Sequence, residues 1–127
     1  MAENMGMERK ILLIGFHRQR NLDFYVEFLR ETGFSVDPVA SLDAMEERVR
    51  SGSYDACMMD TNLGYSMSES PESAQRIYGI LESRIREGRV KFLSLSATPE
   101  CVHNAKKLGI PAELVPYDKL FEWLESV

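Results

Sequence analysis

Tyr54-Asp55-Ala56-Cys57-Met58-Met59-Asp60 is a short apolar run, polar only at Asp55, that ends on a carboxylate. A run this short, without strict alternation, reads as a strand buried on both faces. Just upstream, Ser41 is placed to cap a helix whose inward face carries Leu42, Met45 and Val49, and Gly52 ends it. Downstream, Ser70-Pro71-Glu72 has the form of a helix start, with Ser as cap, Pro at the first position and an acid in the first turn. Ala74, Ile77, Leu81 and Ile85 give that helix a buried stripe, and Gly88 stops it.

The same unit repeats in both directions. Towards the N-terminus, Ile11 to Ile14 is a continuous apolar strand, followed by a helix with Leu22, Val26 and Leu29 at spacings of four and three. Thr32-Gly33 closes it, since Gly suits the left-handed position after a helix. Phe34 to Val39 is a weaker strand whose Pro38 marks a sheet edge. Towards the C-terminus, Val90 to Leu95 is a fourth strand, and Thr98-Pro99-Glu100 opens a short helix closed by Gly109. Ala112 to Val115 is a fifth strand, and Leu120, Trp123, Leu124 and Val127 mark a last helix. The expected fold is α/β: a (βα)5 chain, doubly wound around a parallel five-stranded sheet with helices on both faces.

Length and composition agree with this reading. The chain has 127 residues, 44% hydrophobic and 28% charged, as expected of one globular domain over 10–127 after a flexible lead-in over 1–9. With 15 Lys and Arg against 20 Asp and Glu the net charge is −5, which lacks the basic footprint of a nucleic-acid binder. Cys57 and Cys101 stand alone, outside any CxxC or zinc-ligand spacing, so no disulfide framework or metal site is expected. Without a signal-peptide pattern or an apolar run long enough to cross a bilayer, the reading is cytoplasmic, with no membrane partner.

In an open parallel sheet, chemistry gathers beyond the carboxyl ends of the strands. Asp60 stands out there, as phosphoacceptor, metal ligand or solvated strand end. The segment Tyr54 to Gly64, with Asp60-Thr61-Asn62-Leu63-Gly64, resembles the phosphoacceptor strand and turn of response-regulator receiver domains. Phe92 to Ala97 resembles their fourth strand, ending in Ser96-Ala97, and Leu114 to Tyr117 their fifth strand and Lys-Pro-aromatic turn. The resemblance runs from Lys10 to Val127 and implies a flavodoxin/CheY-like three-layer sandwich. It implies Asp60 as candidate phosphoacceptor and Ser96 as candidate switch residue.

The departures are equally specific. The acid pair that holds Mg²⁺ in the family falls on Gly15 and Phe16, and the family's Lys falls on Val115. Phosphoryl transfer onto a carboxylate brings anion to anion and depends on such cations. Arg18 and Arg20, after the first strand, are candidates to pair with Asp60 in their place, and Asn62 completes the pocket neighbours. His17 adds a faint likeness to the Asp-x-His-x-x-Gly turn of cobalamin-binding domains, without its Asp and with Arg20 at its Gly. No catalytic set can be assembled.

The expectation is a stand-alone, atypical receiver, not an enzyme, that signals by protein–protein contact. It needs no cofactor and is a monomer or weak homodimer. The alternative is a receiver whose Asp60 takes a phosphoryl group from a histidine kinase, with Mg²⁺. Partners are a histidine kinase or a downstream effector, with Tyr117, Phe121 and Trp123 as candidate contacts. The long, Ser-rich joint over 61–70 is a candidate binding surface or lid.

Overall fold

A computed structural model describes residues 9–63 and 70–127. Five strands and five helices alternate along them. In chain order these are β1 (Ile11–Gly15), α1 (Gln19–Glu31), β2 (Ser35–Val39), α2 (Leu42–Ser51), β3 (Ala56–Asp60), α3 (Glu72–Arg86), β4 (Lys91–Ser96), α4 (Pro99–Lys107), β5 (Ala112–Leu114) and α5 (Leu120–Glu125). All strand pairs are parallel, in the spatial order β2-β1-β3-β4-β5. The doubly wound α/β reading therefore holds, with the Pro38 strand at an edge.

Side-chain alternation divides the core between the two faces. Leu13, Cys57 and Met59 point into one cluster with Met45 of α2, Ile77 of α3 and Ala105 of α4. Leu12, Ile14 and Met58 point the other way, against Leu22 and Leu29 of α1 and Leu124 of α5. Burying a large apolar side chain contributes roughly 1.5–3 kcal/mol, so these two layers dominate the favourable side of folding.

Local chemistry sets the element ends. Ser41 Oγ accepts from the Ala44 N–H at 3.2 Å and Thr98 Oγ1 from the Cys101 N–H at 3.4 Å, two N-terminal caps as expected. Ser70 falls one residue short of that role: Pro71 takes the cap position, and Ser70 Oγ accepts from the Glu72 N–H at 3.2 Å. Gly33 has a φ of 96°, a conformation that favours glycine. Gly52 instead ends α2 in an extended conformation, and its lack of a Cβ admits the Tyr54 ring, which a Cβ would meet at 3.0 Å.

Two acids in apolar surroundings find partners. Asp55, just before β3, accepts from the Ile11 N–H at 2.8 Å and joins the starts of two strands. Asp37 on β2 takes the Arg48 guanidinium and the Tyr54 hydroxyl together. Burial and that bond push the Tyr54 phenol up to about 12. Cys57 and Cys101 are both buried, with no disulfide between them. β5 is shorter than expected, ending at Leu114, although the Val115 N–H still donates to the Ser96 carbonyl of β4 at 2.9 Å; the Val115–Pro116 peptide is cis.

Candidate functional site

The strand order reverses between β1 and β3, whose following connections run to opposite sides of the sheet. Asp60 ends β3 there, level with Leu95 of β4 and one step beyond the Gly15–Met59 pair. Its side chain is only 15% exposed. Its Oδ2 accepts from the His17 backbone N–H at 3.3 Å and lies 3.0 Å from His17 Nδ1. An ionised carboxylate only accepts, so the ring contact is a hydrogen bond when Nδ1 carries a proton. Burial raises the Asp60 pKa above the ordinary carboxylate value, while the His17 bonds and the Arg18 charge pull against that rise.

Beside Asp60 lies a cavity of about 350 Å³. Phe24 and Tyr25 of α1, with Phe16 from the turn after β1, form one wall, and Asn21 lies one helical turn from Phe24 and Tyr25. Leu95, Val115 and Pro116 close the far side, and Ser96 and Ala97 complete the rim. Phe16 and Tyr25 stack at 4.7 Å, and Phe24 meets Tyr25 edge-on at 5.3 Å. Burial first, and then the Asp60 charge, raise the Tyr25 phenol above its ordinary value. Ser96 is buried and turns its hydroxyl to its own loop, accepting from the Thr98 N–H at 3.2 Å.

Of the residues singled out in the sequence, Asp60, Ser96, Phe16 and Val115 therefore meet around one cavity. Gly15 faces the opposite side of the sheet, where a Cβ would stand 2.6 Å from Met45 Sδ and 3.1 Å from Leu63. Arg18 and Arg20 are exposed at the start of α1, and His17, not either arginine, makes the side-chain contact with Asp60. The reason is reach: His17 directly follows Phe16, so its backbone and ring both arrive at Asp60, while the exposed Arg18, at the extended cap position, acts on Asp60 only through its charge and Arg20 is already in the helix. Asn62 is half-buried in the turn after β3.

Residues 64–69, including Tyr65, Ser66, Met67 and Ser68 of the long joint, lie outside the described residues. Among the partner candidates, Phe121 is 60% exposed, while Tyr117 and Trp123 are half-buried against the α1/α5 layer. His103 on α4 is exposed.

Three features escaped the sequence reading. The aromatic wall carried a signal, since Phe24 and Tyr25 lie off the Leu22–Val26–Leu29 stripe without being polar. His17 sat in the basic loop already assigned to this edge. Thr61 carried none: its hydroxyl is fully buried and has no hydrogen-bond partner among the described residues, directly after Asp60. Among the described residues no helix is long and apolar enough to cross a membrane, and no three His, Cys, Asp or Glu side chains are grouped to hold a metal.

No protein-family model matches this sequence, and no curated protein matches it. Solved structures match in fold. A CheY-like receiver domain protein from Methanospirillum hungatei superposes with a TM-score of 0.72 at 15% identity, over 93% of this chain and 92% of that one. A chemotaxis response regulator of Vibrio cholerae gives 0.71 at 15% identity, over 93% and 98%. A CheY-like receiver domain from Methylobacillus flagellatus gives 0.64 at 24% identity, over 94% and 98%. The chain has the CheY-like receiver fold, and at these identities the likeness is one of fold.

Proposed function

We propose that this protein is an atypical receiver module that signals by protein–protein contact rather than by catalysis. The reading rests on the His17–Asp60 pair, in which the carboxylate that would take a phosphoryl group already has one oxygen engaged by its own chain. Magnesium does not fit the residues present. Hard Mg²⁺ ions want an oxygen shell with one or two carboxylates. Here Asp60 is the lone carboxylate among the residues lining the cavity, and Phe16 fills the neighbouring position at 2% exposure. At Gly15, Met45 and Leu63 occupy the space an acidic side chain would need. No cation stands at Val115 to neutralise a developing charge.

The partner in this reading is a signalling protein, a histidine kinase or a downstream effector, met in the cytoplasm by a monomer or weak homodimer. Exposed Phe121 is the first contact candidate on α5, with Tyr117 and Trp123 as its half-buried support. Nucleic acid is disfavoured by the net charge of −5.

The test is an amide NMR fingerprint of the full chain, titrated with Mg²⁺ and then with beryllofluoride, an acyl-phosphate mimic. The expected result is a flat response from folded protein. Shifts spreading from Asp60 to Ser96 and Tyr117 would overturn the reading in favour of phosphoryl transfer to Asp60.

A further inference from the structure

We propose that the Asp60 cavity is a binding site for a small organic monocation, an alkylguanidinium or alkylammonium group. The place is the one where the receiver resemblance would put a metal, but the ligand chemistry differs, and the site stands whether or not partner contact is the protein's output.

Three observations carry it. First, Asp60 spends one oxygen on His17, and among the described residues Oδ1 makes no hydrogen bond, so a carboxylate oxygen remains to pair with a ligand. A partly buried carboxylate in largely apolar surroundings gains more from an arriving cation than an exposed one would. Burial raises its pKa, against the His17 bonds and the Arg18 charge. Second, the approach is aromatic. Phe24 is 63% exposed and stands edge-on to Tyr25, and both rings line the cavity. Cation–π contact favours such rings, and Arg and organic ammonium groups are the ions that use it. Third, the wall opposite the rings is apolar, formed by Leu95, Val115 and Pro116.

Size and charge narrow the ligand. About 350 Å³ is near the lower end of ligand pockets, roughly 300–1,000 Å³, which suits an amino-acid-sized group and is small for a nucleotide. Apolar Val115, Leu95 and Phe16 suit the methylene stem of an arginine or lysine, with its charged head at Asp60. Arg18 acts on Asp60 from the start of α1 and opposes a bare cation, but it favours one that also carries a carboxylate. The cation therefore has two sources, a free basic amino acid or the side chain of a partner protein.

The test titrates the full chain with N-acetyl-arginine amide, and with N-acetyl-citrulline amide as the neutral probe of nearly the same shape. The expected result is saturable amide shifts at His17, Ser96 and Val115 with the arginine probe, at least tenfold weaker binding of citrulline, and loss of binding in Asp60→Asn. Phe24→Leu, on an exposed ring, is expected to weaken binding several-fold while the fingerprint stays folded. Tighter binding of free L-arginine than of the capped probe supports the amino acid as source; the reverse supports a partner's side chain. Equal response to citrulline, or no saturable response to either arginine form, overturns the site. The Mg²⁺ and beryllofluoride titration reads a separate question, so the two proposals fail separately.

Discussion

Asp60 and Thr61 are neighbours at one strand end, and burial works against both. For Asp60 the cost is electrostatic. A carboxyl whose folded pKa lies above its unfolded one holds its proton more tightly in the native state. The stability it contributes is fully present below the ordinary carboxylate value of about 3.9 and is lost as pH rises through the raised value. Asp60→Asn should therefore make unfolding by urea harder at pH 7 than in the parent protein, with the gain shrinking as pH falls through the carboxylate range. An unchanged or lower midpoint at pH 7 would sink this account. For Thr61 the cost is a missing partner: the buried hydroxyls of Ser73 and Ser94 donate to the Leu63 and Pro111 carbonyls, whereas its own finds no hydrogen-bond partner among the described residues. An unsatisfied buried group costs roughly 1–3 kcal/mol. Thr61→Val, nearly the same shape, is expected to leave stability unchanged or raise it by about 1 kcal/mol, whereas Thr61→Ala, which also opens a void, should lower it. None of this was legible beforehand, because a threonine after a strand reads alike whether or not its oxygen finds a donor.

At the scale of elements the caps and the strand ends govern. Ser41→Ala should cost about 1 kcal/mol, measurable as a lowered denaturant midpoint with an unchanged slope, since the Ala44 N–H loses its acceptor. The ten elements were legible from the sequence because apolar runs mark the strands and four of the helices end at a glycine: Leu22–Val26–Leu29 ending at Gly33, for example, or Ala74–Ile77–Leu81 ending at Gly88. What periodicity could not give was geometry across elements. It brought the basic residues after β1 to the Asp60 edge but could not say which of them would arrive, since reach depends on where α1 begins. The same gap hid the cavity, which exists because α1 presents Phe24 and Tyr25 towards β4 and the Val115–Pro116 turn, residues far apart in the chain.

For the molecule as a whole, the sheet is supported unequally. β1 and β3 have strands on both sides and helices on both faces, while β5 is a three-residue edge and α5 has one buried residue, Leu124, flanked by the partly buried Leu120 and Trp123. Leu124→Ala should cost about 2–5 kcal/mol and speed amide exchange in α5 and β5 before the Leu12–Ile14 and Ala56–Met59 amides respond. Uniform acceleration across the sheet would show that α5 is not a separable unit. The buried cysteines carry a different consequence. Cys57 sits in β3 and Cys101 in α4, both on the face away from Asp60, and burial pushes the Cys57 thiol well above its ordinary value, so neither the folded chain nor a brief flicker at its edge exposes a reactive thiolate there. The two sulfurs thus divide time between them: a maleimide reaches the helix thiol when the outer layer lifts, and the strand thiol only when the centre of the sheet comes apart, so one reagent and a mass spectrum keep two separate clocks on the same molecule.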